Sequence, residues 1–212
     1  YFSPGKILDQ LIYTNVPLNV LELGTYCGYS TIIIIAQALP LGARLYTIDI
    51  NPTKAAVTEK VIRLAGFDDD TVMTFDDDTG AHLSTLGKFA HGQLPIATNQ
   101  YTAKVHSRVC YTRNNVPKLQ VGPSDELISL QKVDFIFMDH GKCCYLRDLK
   151  LLEELGLLQE GNGTIILADN VLFPGAPHFL QYVKTSGKYN CRMHRRNLEY
   201  FRYIRDSMTV LT

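Results

Sequence analysis

Short apolar runs separated by polar loops divide this chain into elements of alternating type. Ile7, Leu8, Leu11 and Ile12 recur at helical spacing and predict an amphipathic first helix, ended by Pro17. Residues 19–23 read as a buried strand. Residues 30–39 read as a helix stopped by Pro40, although Ile32, Ile33, Ile34 and Ile35 are β-branched and favour strands. Their position behind a glycine loop decides for helix. A second strand follows at 44–49. Asn51 then caps a helix with Pro52 in its first turn, Glu59 and Arg63 four apart, and Gly66 as its close. A third strand begins at 72–75.

From 76 to 118 no period is sustained, and unstructured stretches longer than about 15 residues are uncommon inside compact domains. This stretch reads as an insertion, a disordered loop or foreign sequence. A translated intron, with splicing from Phe75 close to Val121, is one explanation. Order returns at 119–122 and in a short helix near 125–131. Residues 133–139 form a buried strand ending in Met138-Asp139-His140, and 145–155 a leucine-rich helix. Residues 164–169 form another buried strand, ending in Ala168-Asp169-Asn170. Residues 177–186 predict a helix with Phe179, Leu180 and Val183 on one face; 189–193 and 200–211 read as closing strands, a candidate hairpin. Alternating strands and helices imply one α/β domain over 1–212 with a mostly parallel sheet and helices on both faces.

Composition narrows the function little. A chain of 212 residues suffices for one domain with a large core. The formal net charge is zero, so nothing favours nucleic acid or an anionic surface. No apolar run approaches the roughly 20 residues that span a bilayer. The chain starts at Tyr1 rather than Met, so an upstream piece, with a leader or anchor in it, stays an open expectation. Five cysteines, odd in number and without CxxC spacing, point to free thiols in a reducing, cytoplasmic compartment.

The chemistry centres on Glu22-Leu23-Gly24-Thr25-Tyr26-Cys27-Gly28-Tyr29-Ser30. Strand, glycine loop and helix form the opening unit of a nucleotide-binding sheet, with the ligand at the strand's C-terminal end. The Gly-x-x-x-Gly spacing is not the dinucleotide fingerprint. Glu22 would repel a phosphate but suits an ammonium or sulfonium, both of which S-adenosylmethionine carries. Asp49, ending the second strand about 20 residues on, is either the acid that takes both ribose hydroxyls or a helix-capping acid. Asp139, Asp169 and Asn170 end two strands. They make a hard-oxygen set for Mg²⁺ if those strands are neighbours, and a cap or buried polar pair otherwise. Lys142, three residues beyond Asp139, is a candidate general base or a solvated lysine. His140 could carry a proton or wall an adenine. Cys143 and Cys144 have no base at hand in the sequence and read as simple thiols.

These residues together resemble the catechol O-methyltransferase family. The matching stretches are VLELGTYCGYS, YTIDINP, FMDH-x-K, LLEELGLL, ILADNVLFPGAP and LEY, and VIRLAGFD, CYLRDLKLLE and VLFPGAPHFLQYVK point to its transmembrane branch. The resemblance implies a Rossmann-like class I methyltransferase with a seven-stranded sheet whose last strand is antiparallel. It implies S-adenosyl-L-methionine held by Glu22, Gly24, Tyr26, Tyr29, Ser30, Asp49 and Ile50, with Gly122, Pro123 and Ser124 as the adenine loop and His140 nearby. It implies Mg²⁺ on Asp139, Asp169 and Asn170, Lys142 as base, Glu199 on the second hydroxyl of a catechol, and Pro174 as a wall of the substrate slot. The implied substrates are catecholamine-type small molecules. The branch also implies a membrane anchor, at the endoplasmic reticulum, upstream of Tyr1. Gly141 stands where the family usually has tryptophan, and Pro123 where it usually has alanine. The family's N-terminal helices would precede Tyr1, and the segment before Val133 is short. Two other functions compete: a nicotinamide-dependent dehydrogenase, and a non-catalytic interaction protein that keeps the fold, with a protein partner.

Overall fold

Alternate residues of each central strand leave the sheet on opposite faces, and helices cover both. In β1 (Asn19–Leu23), Val20 joins one apolar cluster while Leu21 and Leu23 join the other. β4 (Phe135–Met138) divides likewise, with Phe135 and Phe137 against Ile136 and Met138. In β5 (Ile165–Ala168), Leu167 opposes Ile166 and Ala168. Strands buried on both faces need continuous apolar runs, which is why these segments show no polar alternation. The structure, a computed structural model, describes residues 4–38, 43–49, 51–66, 72–75, 132–159, 163–197 and 203–212. The irregular stretch 76–118, the expected elements at 119–122 and 125–131, and Ile50, Gly122, Pro123, Ser124 and Glu199 lie outside the described residues.

The described strands also include β2 (Arg44–Ile48), β3 (Val72–Phe75), β6 (Cys191–Asn197) and β7 (Arg205–Leu211). They form a seven-stranded sheet in the order β3-β2-β1-β4-β5-β7-β6. The pairings from β3 through β5 are parallel, and β7 runs antiparallel to both β5 and β6. On one face lie α1 (Pro4–Asn15), α2 (Tyr29–Ala38) and α3 (Pro52–Leu64), packed through Ile7, Leu8, Ile12, Ile34 and Ile62. The other face carries α4 (Tyr145–Glu154) and α5 (Pro177–Thr185), through Leu149, Leu152, Phe179 and Val183. Among the described residues no helix is long and apolar enough to cross a membrane.

Local signals explain most of these elements. Asn51 caps α3, its side chain accepting from the backbone N–H of Thr53 at 3.0 Å and of Lys54 at 3.3 Å. The isoleucine run is helical, as its place behind the loop implies. The closing strands differ from the expected 189–193 and 200–211. Pairing continues to Asn197↔Arg205 because β6 is an edge strand, where Arg192, His194, Arg195 and Arg196 are tolerated after the apolar signal has stopped. A one-turn helix at Lys142–Cys144 and a wide turn at Val171–Gly175 left no periodic trace in the sequence.

Glu22 is the exception on the α2 face of β1: a fully buried carboxylate. Its Oε1 accepts from Ser30 Oγ at 2.5 Å, and its Oε2 from Thr31 Oγ1 and Thr47 Oγ1, each at 2.6 Å. Thr25 in turn hydrogen-bonds Thr47. These hydroxyls tie the first turn of α2 to β1 and β2. Burial nonetheless pushes the Glu22 pKa up to about 7, with the charge of Asp139 adding and the hydroxyl bonds opposing. The folded state therefore holds this proton more tightly than the unfolded chain does. Stability from Glu22 is complete below its ordinary value of 4.5 and is lost as pH rises through about 7, a change of about 3 kcal/mol.

Two stability outcomes follow. Glu22→Gln should flatten the fall in unfolding free energy between pH 4.5 and 7 that the parent chain shows; denaturant titrations of both proteins across that range check it, and identical pH profiles would contradict it. Gly24 has φ +92°, and a Cβ there would come within 2.6 Å of the Asp139 carbonyl oxygen. Gly24→Ala should thus cost more than about 2 kcal/mol in the same measurement.

Candidate active site

The parallel ladders carry on past the strand ends and bring four loops together. The Gly24 N–H donates to the Ile48 carbonyl at 2.8 Å, Asp139 N–H to Leu23 at 2.8 Å, and Asp169 N–H to Met138 at 2.9 Å. The residues just beyond β1, β2, β4 and β5 therefore share the C-terminal edge of the sheet, where open α/β sheets bind ligands.

On the glycine-loop side, Asp49 is almost fully buried, and both of its oxygens take backbone protons. Oδ2 accepts from Tyr26 N–H at 2.7 Å and Oδ1 from Asn51 N–H at 2.8 Å. It thus anchors the loop and precedes the α3 cap, and a carboxylate oxygen keeps a second lone pair for a hydroxyl. Tyr26, at φ +51°, and Tyr29 are exposed at the rim, and Lys54 Nζ lies 4.3 Å from the Tyr26 ring centre. Ser30 is turned to Glu22. Across the edge, His140 donates or accepts at Nε2 with Asp148 Oδ2 at 2.8 Å, and its Nδ1 is buried without a partner among the described residues. Burial raises the Asp148 carboxyl, but the bonds from His140 and Arg147 outweigh it and hold its pKa below the usual range. The glycine approach, the Asp49 carboxylate and the orphaned His140 nitrogen suit a nucleoside-bearing ligand. Beside His140, a Cβ at Gly141 would stand in ordinary contact, 3.9 Å, with the sulfurs of Cys143 and Cys144.

On the opposite side, β4 and β5 are neighbours, with Met138 paired to Ala168, so Asp139 and Asp169 follow at adjacent tips. Lys142 Nζ donates to Asp139 Oδ1 at 2.7 Å and to the Tyr145 hydroxyl at 2.8 Å. The Tyr145 proton is shared between the carbonyls of Met138, at 2.6 Å, and Asp169, at 3.0 Å. Burial pushes this phenol well above its ordinary pKa, and the three nearby aspartates add to the shift. Tyr145 thus stays a neutral strut joining both strand ends to the lysine. Asp169 Oδ1 accepts the Asn170 N–H at 2.5 Å and a bond from Arg196. Burial raises the Asp169 pKa to about 6, against the opposing charge of Arg196. Asn170 sits at φ +52°, a conformation asparagine tolerates, and its Nδ2 donates to Asp206 Oδ2 at 2.8 Å. Asp206 Oδ1 also takes the backbone N–H of Phe173 at 3.1 Å and of Leu172 at 3.3 Å. It thereby fixes the turn that presents exposed Pro174.

Among the described residues no three His, Cys, Asp or Glu side chains gather into a metal-holding group. The candidate set is two carboxylates and an amide. Asp139 Oδ2, Asp169 Oδ2 and Asn170 Oδ1 each lack a hydrogen-bond partner among the described residues. Three free hard oxygens at adjacent strand tips fit a divalent cation. Sequence reasoning passed over Tyr145, Asp206 and Arg196. Tyr145 could have been found from its place three residues after Lys142; Asp206 and Arg196 lie in the C-terminal strands and carried no local signal.

The chain matches the family model described as O-methyltransferase over residues 3–97. It is 40% identical over 208 residues to the transmembrane O-methyltransferase of Homo sapiens, covering 98% of this chain and 57% of that protein. It is 34% identical over 200 residues to the catechol O-methyltransferase of Bos taurus, covering 94% of this chain and 58% of that one. The chain spans less than two thirds of the length of these relatives. Among solved structures, the O-methyltransferase from Bacillus cereus in complex with SAH aligns with a TM-score of 0.68 at 20% identity, covering 100% of this chain and 83% of that chain. That likeness establishes the fold as Rossmann-like class I methyltransferase. With identity to transmembrane and catechol O-methyltransferases running along nearly its whole length, this chain resembles the O-methyltransferase family.

Proposed function

We propose that the chain is an S-adenosylmethionine- and Mg²⁺-dependent O-methyltransferase acting on catechols. The observation that supports it most is the meeting of Asp139, Asp169, Asn170 and Lys142 at neighbouring strand ends, across the edge from the glycine loop. Glu22, Gly24, Tyr26, Tyr29, Ser30, Asp49 and Ile50 form the cofactor side of this proposal, with His140 and the loop of Gly122, Pro123 and Ser124 toward the adenine. Asp139, Asp169 and Asn170 would hold Mg²⁺, which when bound supplies Lewis acidity to a chelated diol and eases ionisation of one hydroxyl. The methyl donor supplies a sulfonium-bound methyl group.

The protein's own part is to hold and to move a proton. Lys142 receives the hydroxyl proton at Nζ; its side chain is tethered at Asp139 and Tyr145 and is only 12% exposed. Asp49 and the glycine loop hold the donor, and Pro174 and Glu199 hold the acceptor, so that oxygen, methyl and sulfur line up; displacement depends steeply on that alignment. Asp169 and Asp206 are buried, and a site poor in water favours a step in which opposite charges cancel. The substrate is a small molecule. A membrane anchor upstream of Tyr1, of the kind named in the human relative, belongs to the same proposal.

Transfer of a labelled methyl group from S-adenosylmethionine to a simple catechol tests this reading. The parent chain should turn over with Mg²⁺ and stop when the ion is chelated. Lys142→Ala should lower kcat by at least about 100-fold while calorimetric binding of the donor is kept. Full activity in that variant would remove Lys142 as the base. Asp49→Asn should instead weaken donor binding by about tenfold, read in the same calorimeter. Heat from a nicotinamide cofactor in place of the donor would favour the dehydrogenase reading.

A further inference from the structure

The metal side of the site already contains a buried positive charge. Arg196 stands on β6 directly opposite Asp206 of β7, so the two side chains rise on one face of the hairpin. Its guanidinium turns inward, 7% exposed, bonding Asp169 and lying 3.5 Å from Asp206 Oδ2. Its Nε is buried with no partner among the described residues. This arginine lies on none of the loops that end β1, β2, β4 or β5. It arrives from the far edge of the sheet to occupy one oxygen of a proposed metal ligand.

We propose that Arg196 is a tethered cation that shares Asp169 with the divalent ion and keeps the ion's affinity low. The inference rests on the metal assignment above. Asp139, Asp169 and Asp206 bring three carboxylates to this corner, and Arg196 brings a permanent positive charge against two of them. Affinity of oxygen sites for hard cations follows the net charge of their ligands. A guanidinium on Asp169 withdraws part of that charge and repels a second cation at short range, where burial limits screening. Arginine keeps its charge at all working pH values, so the competition is permanent and no titration is involved. Arg196 engages Asp169 at Oδ1 and leans on Asp206 Oδ2 with the same nitrogen, and Asp169 Oδ2 has no partner among the described residues.

Binding of Mn²⁺ to the full chain, followed by the loss of its free-ion electron paramagnetic resonance signal, tests this without any turnover. Arg196→Ser should tighten Mn²⁺ binding at least tenfold. Arg196→Lys, which keeps the charge, should stay within about threefold of the parent. Arg196→Gln keeps a long stem and an N–H donor for Asp169; it should tighten binding in the same direction and serves if the serine variant does not fold. Asp169→Asn should lose binding in every background, which locates the ion. Equal or weaker Mn²⁺ binding in the serine and glutamine variants, with the parent still binding through Asp169, would overturn the role of Arg196 and leave the metal site standing. Binding in none of these proteins would overturn the metal assignment, and this inference with it.

Discussion

The structure depends on parallel pairing of β4 with β5 in one register. With Met138 beside Ala168, the next residues on each strand are aspartates, and a slip by one would turn one of them to the other face. The register is secured from beneath by the apolar pairs Phe135↔Ile165 through Met138↔Ala168. It is secured from above by one buried hydroxyl, that of Tyr145, which reaches the carbonyls ending both strands. The same hydroxyl receives Lys142. Strand register, packing of α4 and placement of the candidate base are thus a single arrangement, and no part of it can shift alone.

Around that arrangement the fold tolerates buried charge that a purely structural core would avoid. Glu22 and Asp169 both have pKa values pushed upward by burial, and Asp206 is fully enclosed. Buried carboxylates are costly unless hydrogen-bonded or paired. Here each one meets hydroxyls, backbone N–H groups or a guanidinium. The two sides of the edge solve the problem differently. The Glu22 side uses neutral hydroxyls and brings no cation onto the carboxylate. The Asp169 side uses a cation, which leaves less charge for any ion that arrives. That difference suits the proposed pairing of a cationic methyl donor on one side with a weakly held ion on the other.

The central part of the sheet was legible in the sequence because its signals are local. Apolar runs, the glycine loop and the Asn51-Pro52 cap each act within a few residues, and the strand ends Asp139 and Asp169-Asn170 follow from them. Adjacency of β4 and β5 was not local; it entered as a condition that the pairing then met. What escaped notice depends on contacts distant in the chain. Asp206 serves Asn170, Leu172 and Phe173 from 33 or more residues away. Arg196 sits in a strand whose polar residues masked its length. The tyrosine at 145 looked like a helix start because its hydroxyl's partners are backbone carbonyls, which no side-chain pattern reveals.

The most direct test of the account is to locate the ion itself. Crystals of the full chain grown with Mn²⁺ and S-adenosylhomocysteine should show one anomalous peak, ligated by Asp139, Asp169 and Asn170, with the cofactor's ribose on Asp49. An ion bound elsewhere, or Asp139 and Asp169 on separate edges of the sheet, would contradict the account at its root.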